Sequence, residues 1–588
     1  MLSRTLDQEG LQVKMETYRP TPEVVTAGTP RTSAQVRLKL NGNVKILEAP
    51  IGTTLESFIR AAGIQSPVPI VAAQVNDKLA ELTTPITSDV TAVPLTMSNT
   101  DGSRVYRRSL SFLLIVAAHE LFPAAKIIVD HSMPFGGFYC EIQGRPSLNA
   151  EEIARLEKRM REIVAADEPI IKERMSLDAA RKVFNVQDYQ DKLRLLKYRK
   201  KDYLTVYKLR DITDYFYGYM VPSTGYLRYF RVRERQPGFV LHFPRRSRPG
   251  DLMGYSEAPK LVNVFRQHAE WMRIMDVEDV AALNHAVETD RVREVILVNE
   301  ALHEHRISDI AEAIAQHRDQ VRIVLIAGPS SSGKTTFAKR VAIQLLSQGL
   351  RPVPIELDNY FVDRELTPKT KNGDYDYEAL EALNLALFNE HLLKLMASQQ
   401  VQLPHYNFKT GRSEKGTQLA ITPDHLLLVE GIHGLNPGLV PQIPPERIFR
   451  IYVSALTQLN IDQHNRVPTT DTRLVRRIVR DNATRGYTAR DTISRWEVVR
   501  AGENRNIFPY QENADVMFNS ALVYEHAVLK PLVEPLLRQI RPGTPEYPEA
   551  ERLLAFLEWF LPCSPEYIPD NSLLREFIGG STLRDFTV

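Results

Sequence analysis

RIVLIAGPSSSGKTTFAKRVAIQLLSQGLRPVPIE spans residues 322–356 and decides the fold of the largest part of the chain. Its apolar start and amphipathic middle predict a strand, a glycine-bounded loop, a helix and a second strand. Gly328 and Gly333 let the backbone turn tightly enough for its N–H groups to surround a phosphate, and a helix starting there adds the positive end of its dipole. We expect Lys334 to reach the outer phosphates and the Thr335 hydroxyl to ligate Mg²⁺. The segment therefore predicts ATP binding by Gly328, Ser331, Ser332, Gly333, Lys334, Thr335 and Thr336.

The whole chain has the composition of an ordinary soluble protein. Of its 588 residues, 43% are hydrophobic and 25% are charged, and the formal net charge is +2. This balance excludes a chain-wide basic field, so a nucleic-acid partner would need a local patch. Cys140 and Cys563 are the two cysteines, which excludes a disulfide framework. The longest uncharged apolar stretch, 110–118, is too short to span a bilayer, and we expect a cytoplasmic protein without membrane contact.

Length and changes of pattern predict a multidomain α/β protein. We place a flexible lead at 1–33, a β-grasp domain at 34–97, an α+β domain at 98–260 and a helical connector at 261–320. A phosphate-loop domain, with a mainly parallel sheet flanked by helices, follows at 321–540, and a helical extension ends the chain at 541–588. The tail at 571–580 has no catalytic pattern, so we expect it to pack against another domain or a second copy of the chain in a homo-oligomer.

The β-grasp prediction rests on a hairpin pattern. Residues 36–40 and 44–48 alternate as strands around the turn Asn41-Gly42-Asn43, and a short helix follows Gly52. Together with the stretches IGTTLESFI and AAQVNDKLAELTTPI, this part resembles the TGS domain of threonyl-tRNA synthetases. The resemblance implies a docking or regulatory surface rather than a catalyst.

The next part resembles the editing domain of the same synthetases, over 108–142 and 214–232. The family's His-x-x-x-His pair falls here on Arg108 and Phe112, and its Cys-x-x-x-His pair falls on Phe216 and Met220. Neither phenylalanine nor methionine supplies imidazole or thiolate chemistry. The resemblance therefore implies a domain that keeps the fold and has lost the metal and catalytic residues.

Two other features of this part have competing interpretations. The basic run KLRLLKYRKK at 192–201 could meet RNA phosphates, but the near-neutral net charge favours a solvated helix face. His119 and His131 are isolated in a half-apolar segment, so we expect structural histidines rather than metal ligands.

Two carboxylates follow predicted strands of the phosphate-loop domain. Asp358 comes directly after the strand that ends at Glu356, and Glu430 ends the apolar strand HLLLVE. Because the carboxyl ends of parallel strands open onto the ligand crevice, both should face the phosphates. Asp358 can accept the proton of a substrate hydroxyl, with a salt bridge or helix cap as the alternative role, and Glu430 is the candidate for orienting Mg²⁺.

An arginine-rich helix is predicted after the next strand. Arg473, Arg477 and Arg480 fall on one side of it, a stripe that we do not expect in a core. The functional interpretation is a lid that closes on the triphosphate, and the alternative is a solvated basic face.

Together these motifs resemble the uridine kinase and phosphoribulokinase family of P-loop kinases. The resemblance covers about 321–530, with GPSSSGKTT, LDNYF, DYDYEAL, PHYNF, LLVEGIHGLN and TRLVRRIVRDNATRG. It implies Asp358 as general base, Asp376 as a ligand of ribose hydroxyls and Tyr406 as an aromatic at the nucleoside. The lid arginines that it implies are Arg477, Arg480 and Arg485. The succession of TGS, synthetase-like and kinase parts is similar to bacterial proteins called nucleoside or uridine kinases.

The chain departs from that family around the acceptor. Gly411 stands where uridine-cytidine kinases carry a base-contacting histidine, Arg495 replaces a lid glutamine, and Phe361 replaces a tyrosine beside the general base. Loss of hydrogen-bonding groups at a base edge changes discrimination strongly. We predict that Phe361, Arg412 and Arg495 line the substrate pocket, and that this pocket recognises a base differently from that of uridine-cytidine kinases.

Together these expectations predict an ATP- and Mg²⁺-dependent kinase that phosphorylates a small molecule. The acceptor group that they favour is the 5′-hydroxyl of a nucleoside. Lys334, Asp358, Arg477 and Arg480 are the predicted catalytic residues. One alternative is a kinase of another hydroxylated metabolite. The other is an RNA-binding regulator that uses nucleotide binding as a switch, which the near-neutral charge does not favour.

Overall fold

The computed structural model of the chain describes residues 31–40, 42–370, 373 and 375–586. The predicted flexible lead lies outside the described residues apart from 31–33. So do Asn41 of the predicted hairpin turn and Asp374 of the DYDYEAL motif.

The N-terminal part is a five-stranded sheet with one helix packed on it. Its elements are β1 (Ser33–Leu40), β2 (Asn43–Pro50), α1 (Leu55–Ala61), β3 (Ile70–Val75), β4 (Lys78–Ala80) and β5 (Val90–Thr96). The strand order is β2-β1-β5-β3-β4, and β1 pairs antiparallel with β2 and parallel with β5. The predicted hairpin is therefore present. The Thr54 hydroxyl accepts the N–H of Ser57 and so caps α1 where the sequence predicts a helix start.

The second part, which follows directly, combines a four-stranded and a three-stranded sheet with four helices. Its elements are α2 (Thr100–Leu121), β6 (Lys126–Ser132), β7 (Gly137–Gln143), α3 (Ala150–Ala166), β8 (Ile171–Ser176), α4 (Leu177–Val186), α5 (Gln190–Leu196), β9 (Tyr203–Leu209), β10 (Ile212–Asp214), β11 (Arg231–Arg235) and β12 (Gly238–His242). The sheets run β11-β12-β7-β6 and β10-β9-β8. The apolar stretch 110–118 is the buried centre of α2.

The positions at which the resemblance places a lost editing site lie together in this part. The rings of Phe112 and Phe216 are 5.3 Å apart, and both belong with Met220 to one apolar cluster. Arg108 Nη1 donates to the carbonyl oxygen of Tyr219 at 2.8 Å. Apolar packing thus occupies three of the four positions named in that prediction. Among the described residues no group of three His, Cys, Asp or Glu side chains could hold a metal ion.

The prediction of a solvated basic face at 192–201 is wrong for its first residue. Lys192 is only 2% exposed, and its Nζ lies 2.9 Å from Asp214 and 3.0 Å from Asp462. The two carboxylates compensate the charge of the buried ammonium group. A buried lysine without such partners would be strongly destabilising. Lys197 and Lys201, in contrast, are exposed and pair with acidic side chains of this chain.

The connector and the phosphate-loop domain follow. The connector consists of α6 (Pro259–Ile274), α7 (Val280–Glu288) and α8 (Val292–Ala315). The domain contains β13 (Ile323–Ala327), α9 (Lys334–Ser347), β14 (Arg351–Glu356), α10 (Leu385–Met396), β15 (Val401–Asn407), β16 (Arg412–Leu419), β17 (His425–Glu430), β18 (Ile448–Ser454), α11 (Thr469–Arg485), α12 (Ala489–Asn506), β19 (Val516–Asn519) and α13 (Glu525–Leu537).

A five-stranded, wholly parallel sheet forms the centre of this domain. Its order is β14-β17-β13-β18-β19, so the predicted first strand lies in the middle. Every residue of β13 is buried, because neighbouring strands and helices cover it on all sides. The carboxyl ends of β13, β14 and β17 therefore lie side by side, and the loops that follow them form one edge. The hairpin of β15 and β16 stands apart from the sheet.

The chain ends with α14 (Tyr547–Leu557) and the short α15 (Arg575–Ile578). Trp559 is buried, and its Nε1 donates to the hydroxyl of Tyr215 in the second part at 2.8 Å. Residues 583 and 584 lie on α9, where Lys339 Nζ donates to the carbonyl oxygen of Leu583 at 2.6 Å. The tail thus packs against the phosphate-loop domain of its own chain. None of the described helices is long and apolar enough to cross a membrane.

Candidate active site

The loop between β13 and α9 has the backbone of a phosphate-binding loop. Gly333 has φ +86° and directly precedes the first residue of α9, a conformation that favours glycine. A Cβ on Gly328 would lie 1.9 Å from the carbonyl oxygen of Val453, so only glycine fits there. The first N–H groups of α9 have no acceptor within the helix, which is what an anion site requires.

Lys334, Thr335 and Glu430 meet beside this loop. Thr335 Oγ1 donates to Glu430 Oε2 at 3.2 Å, and Lys334 Nζ lies 3.9 Å from Glu430 Oε1. Burial raises the pKa of Glu430 to about 7, with Lys334 opposing the shift and Asp358 adding to it. A bound cation would favour the ionised form of this carboxylate. A hydroxyl and a carboxylate that share the site with nucleotide phosphates are the oxygen donors that Mg²⁺ prefers, so these residues fit the metal.

Asp358 lies in the turn that follows β14. Asp358 is an exposed residue, yet desolvation by the surrounding protein raises the pKa of its carboxyl group above the ordinary value, and the positive charges of Lys334 and Arg485 oppose this shift. Asp358 comes two residues after Glu356, which pairs with Glu430 in the sheet, and Glu430 Oε1 lies 3.9 Å from Lys334 Nζ. Asp358 is therefore at the same sheet edge as the loop lysine.

Three predicted lid arginines share one carboxylate that the sequence analysis did not single out. Asp481 is 2% exposed and lies within 3.5 Å of Arg477, Arg480 and Arg485. Arg477 Nη1 also donates to Ser330 Oγ at 2.8 Å. Asp481 thus gathers the positive charges beside the phosphate loop. The i, i+4 spacing from Arg477 to Asp481 is the signal that could have identified it.

The expectation that the arginine stripe stays out of the core is wrong for Arg473. This residue is 1% exposed and forms a two-pronged pair with Glu503, in which Arg473 Nη2 donates to Oε2 at 2.7 Å. The pair also holds the phosphate loop, because Arg473 Nη1 donates to the carbonyl oxygen of Ser330 at 3.0 Å and Ser330 N donates to Glu503 at 3.1 Å. Arg473 therefore positions the loop rather than facing the nucleotide.

The remaining loop residues differ in whether their hydrogen-bond donors are already used within the protein. Ser331 and Ser332 are buried, and their hydroxyls have no hydrogen-bond partner in the described part of the chain. Thr336 is engaged, since its N and Oγ1 donate to Glu576 Oε2 at 3.2 and 3.0 Å. A carboxylate of the C-terminal tail thus occupies a backbone donor of the predicted phosphate site.

Aromatic side chains form the predicted acceptor side. The ring of Tyr406 lies 5.5 Å from Phe361 and 5.0 Å from Phe408, and Tyr377 lies 5.9 Å from Phe361. The buried Tyr406 hydroxyl has no partner with hydrogen-bond geometry among the described residues. Asp376 is only 6% exposed, and its Oδ2 accepts from Arg505 Nη2 at 2.7 Å. Arg505, which the sequence analysis missed, thus holds the predicted ribose ligand.

The departures at Gly411 and Arg495 have different structural settings. Gly411 has φ +72°, and a Cβ there would lie 2.6 Å from Arg364 Nε, so Arg364 fills the space next to it. Arg364 donates to the Tyr377 hydroxyl at 3.2 Å. Arg412 is exposed at the start of β16. Arg495 is exposed on α12 and lies over Tyr487, outside the aromatic cluster, so its role and that of Arg412 stay predictions.

Glu378 is a further acidic residue that the sequence analysis did not assign. Burial and the nearby Glu503 raise its pKa to about 7, while Arg477 and Lys334 oppose the shift and Asp358 adds to it. Its side chain lies against Gly502 of α12, where an added Cβ would be 2.3 Å from the Cβ of Glu378. Its place in the DYDYEAL motif, two residues after Asp376, is the only signal in the sequence.

Comparison with known proteins identifies this part of the chain. Residues 323–525 match the Phosphoribulokinase / Uridine kinase family. A kinase-family domain thus occupies the segment that contains the phosphate loop, Asp358, Glu430 and the arginine helix. The match covers this segment rather than the whole chain.

Other similarities concern parts of the chain. A threonine–tRNA ligase of Halorhodospira halophila is 29% identical over 193 residues, which are 33% of this chain and 30% of the relative. One from Marinobacter nauticus is 34% identical over 163 residues, or 28% of this chain and 25% of the relative. The chain thus spans less than a third of the length of these ligases. The resemblance to threonyl-tRNA synthetases is confirmed for part of the chain, and its division into TGS and editing domains stays a prediction.

Solved structures of kinases are also similar to part of the chain. A structure described as a possible uridine kinase from Bacillus stearothermophilus is 20% identical, with a TM-score of 0.26, and the match covers 37% of this chain and 98% of that one. The D-glycerate 3-kinase of Cryptococcus neoformans is 13% identical, with a TM-score of 0.24 and coverage of 36% and 89%.

Proposed function

We propose that the protein is an ATP- and Mg²⁺-dependent kinase that phosphorylates a hydroxyl of a small molecule. The observation that carries this proposal is the position of Asp358 at the sheet edge that also holds Glu430 and Lys334, beside a glycine-bounded phosphate loop. A protein that only binds a nucleotide needs the loop but no carboxylate at this position. The match of 323–525 to a kinase family supports the same conclusion.

The transfer requires a base, an aligned phosphoryl group and compensation of its charge. Asp358 accepts the proton of the acceptor hydroxyl as that oxygen forms a bond to the γ-phosphorus and the bond to the β,γ-bridging oxygen breaks. Lys334 neutralises charge on the phosphates, and Arg477, Arg480 and Arg485 stabilise the equatorial oxygens. Mg²⁺, when bound by Thr335 and Glu430, adds further neutralisation of the phosphate charge. The acceptor gains a phosphate and ADP leaves.

We further propose that the acceptor is a nucleoside, bound with its 5′-hydroxyl directed toward Asp358. The aromatic cluster of Tyr406, Phe361 and Phe408 offers rings for a base, and Asp376 offers a carboxylate for vicinal hydroxyls. The space beside Gly411 holds the guanidinium of Arg364, so base recognition would differ from that of uridine-cytidine kinases. A different hydroxylated metabolite is the alternative acceptor.

The two N-terminal parts are proposed as TGS-like and editing-like domains without editing chemistry. The apolar packing of Phe112 against Phe216 supports this role. An RNA-binding switch receives less support, because the basic residues Arg194, Lys197, Arg199 and Lys201 each pair with a carboxylate of this chain.

The test is a coupled ADP-release assay with Mg²⁺ across nucleosides, sugars and polyols, with product phosphorylation confirmed by mass spectrometry. We expect at least one acceptor to raise ADP release well above the rate without an acceptor, and Lys334→Ala to abolish the increase. If only sugars or polyols were phosphorylated, the acceptor would be the alternative hydroxylated metabolite and not a nucleoside. No acceptor-dependent release across the panel would contradict the proposed activity.

A further inference from the structure

Five arginines without a carboxylate partner among the described residues lie where the second part of the chain contacts α12 and the loop before α11. None has an acidic group within 4.0 Å in the described part of the chain. We call them the arginine cluster: Arg107, Arg108, Arg245, Arg466 and Arg500. They come from α2, from the segment after β12, from the loop before α11 and from α12.

Aromatic packing brings two members of the cluster side by side. The guanidinium of Arg107 lies 5.8 Å from the ring centre of Phe243, and that of Arg466 lies 4.8 Å from Phe138. The two rings are themselves 4.8 Å apart. Two positive charges from different parts of the chain therefore rest on neighbouring rings.

Asn504 joins two other members. Arg245 Nη2 donates to Asn504 Oδ1 at 2.6 Å, and Asn504 Nδ2 donates to the carbonyl oxygen of Arg500 at 2.8 Å. Each hydrogen bond from a guanidinium of the cluster ends on a neutral oxygen. Most of the N–H donors of these five side chains thus lack a protein acceptor among the described residues.

The nearby carboxylates are already engaged by other residues. Glu497 pairs with Arg246, Glu503 with Arg473, Asp471 with Arg552, and Asp130 with His131. Burial lowers the pKa of Arg107 to about 9, and the next contributions all come from other arginines, including Arg466 and Arg500. Arginine keeps its proton in proteins, so Arg107 stays charged, with other arginines around it and no carboxylate within 4.0 Å among the described residues.

We propose that the arginine cluster binds a small anion that carries two or more phosphate groups. Guanidinium groups bind phosphate oxygens through paired N–H donors, and several converging forks suit a polyphosphate better than one carboxylate. Binding would join the second part of the chain to α12. Because Glu503 of α12 accepts a hydrogen bond from Ser330 N in the phosphate loop, the same helix contacts both sites.

This proposal does not depend on the proposed kinase function. Its test uses tripolyphosphate as the probe and isothermal calorimetry on the full chain carrying Lys334→Ala, which removes the lysine of the phosphate loop. We expect this protein to bind tripolyphosphate and expect R107Q/R500Q in the same background to weaken binding at least tenfold. The exposed Arg155→Gln is the matched control and should change the affinity less than twofold.

Absence of binding to the Lys334→Ala protein, or equal affinity after R107Q/R500Q, would overturn the proposal. Thermal unfolding without any anion gives a second measurement. Since the substitutions remove mutual repulsion, the melting temperature should be unchanged or higher, and the increase caused by tripolyphosphate should disappear. A lower melting temperature without the anion would contradict the uncompensated charge on which the site depends.

Discussion

Two arginines four residues apart on α11 act in different ways. Arg477 reaches the rim of the phosphate loop beside Asp481, whereas Arg473 is buried against Glu503. A buried charge is tolerated only with a partner of good geometry, and the two hydrogen bonds between Arg473 and Glu503 provide this. The same carboxylate holds the Ser330 N–H, so the pair fixes the loop backbone from behind.

Glu503→Gln should therefore destabilise the protein more than the loss of an exposed pair. We expect the free energy of unfolding to fall by about 3 kcal/mol, because Arg473 would be left buried without its anion. Urea denaturation followed by circular dichroism measures this. The control is Glu497→Gln, which breaks the half-exposed pair with Arg246 and should cost less than about 1 kcal/mol. Equal losses would show that the buried pair has no special role.

Among the elements, α11 has its arginines gathered by one buried residue. Asp481 holds Arg477, Arg480 and Arg485, and its negative charge keeps three like charges close together. Without it, the arginines would repel one another and adopt other rotamers.

For Asp481→Asn we expect kcat of acceptor phosphorylation to fall by about tenfold or more, because the arginines would no longer be positioned for the transferring phosphoryl group. Steady-state kinetics measures the effect. Asp178→Asn, which alters an exposed pair with Arg181 on α4, serves as control and should leave kcat unchanged. Wild-type kcat in Asp481→Asn would mean that the lid does not need its shared carboxylate.

The C-terminal tail is the second element that affects the loop. Glu576 accepts from Thr336 N at 3.2 Å, a donor at the start of α9 that a phosphate would otherwise use. Glu576→Gln should therefore tighten ATP binding about threefold to tenfold, because the variant removes a negative charge that repels the phosphates. Calorimetric titration with ATP measures the affinity. The control is Glu566→Gln, which makes the same charge change at an exposed position of the tail and should leave the ATP affinity unchanged. Weaker ATP binding by Glu576→Gln would argue against competition between Glu576 and the phosphates for Thr336 N.

At the scale of the whole molecule, buried histidines make folding sensitive to acid. Burial lowers the pKa of His268 and of His526 from 6.5 to about 4. In the unfolded chain these histidines take up a proton near pH 6.5, whereas in the folded chain they do so only near pH 4. The free energy of unfolding is therefore highest above pH 6.5 and decreases as the pH falls toward 4.

We therefore expect the free energy of unfolding to drop by about 1 kcal/mol per buried histidine between pH 7.5 and 5.5. Urea denaturation at both pH values measures the drop. His526→Gln should reduce it by about that amount, while the exposed His119→Gln should leave it unchanged. An identical pH dependence in wild type and His526→Gln would exclude this histidine as a source.

Features that are local in sequence could be predicted. The loop from Gly328 to Thr335, the following helix and the carboxylates after β14 and β17 depend on short patterns, because a strand, a turn and a helix start each involve a few neighbouring residues. The parallel sheet and the position of Asp358 at the sheet edge that holds Lys334 follow from those patterns.

Features that depend on distant partners could not be predicted. Thr336 and Glu576 are separated by 240 positions, and no pattern near either residue announces their contact. Lys192 looked solvated because Asp214 and Asp462, which compensate its charge, belong to other segments. Arg473 looked exposed for the same reason, since its helical spacing says nothing about a carboxylate on α12.

The central claim is that Asp358 is the base of a phosphoryl transfer on a working ATP site. The most direct test measures transfer of labelled γ-phosphate from ATP to the best acceptor, for wild type and Asp358→Asn, with ATP affinity determined on both proteins. For Asp358→Asn we expect an ATP affinity within about twofold of wild type and a transfer rate at least about a hundredfold lower, since general-base catalysis contributes a factor of about 10² to 10⁴. Transfer by Asp358→Asn at the wild-type rate, with ATP still bound, would contradict it.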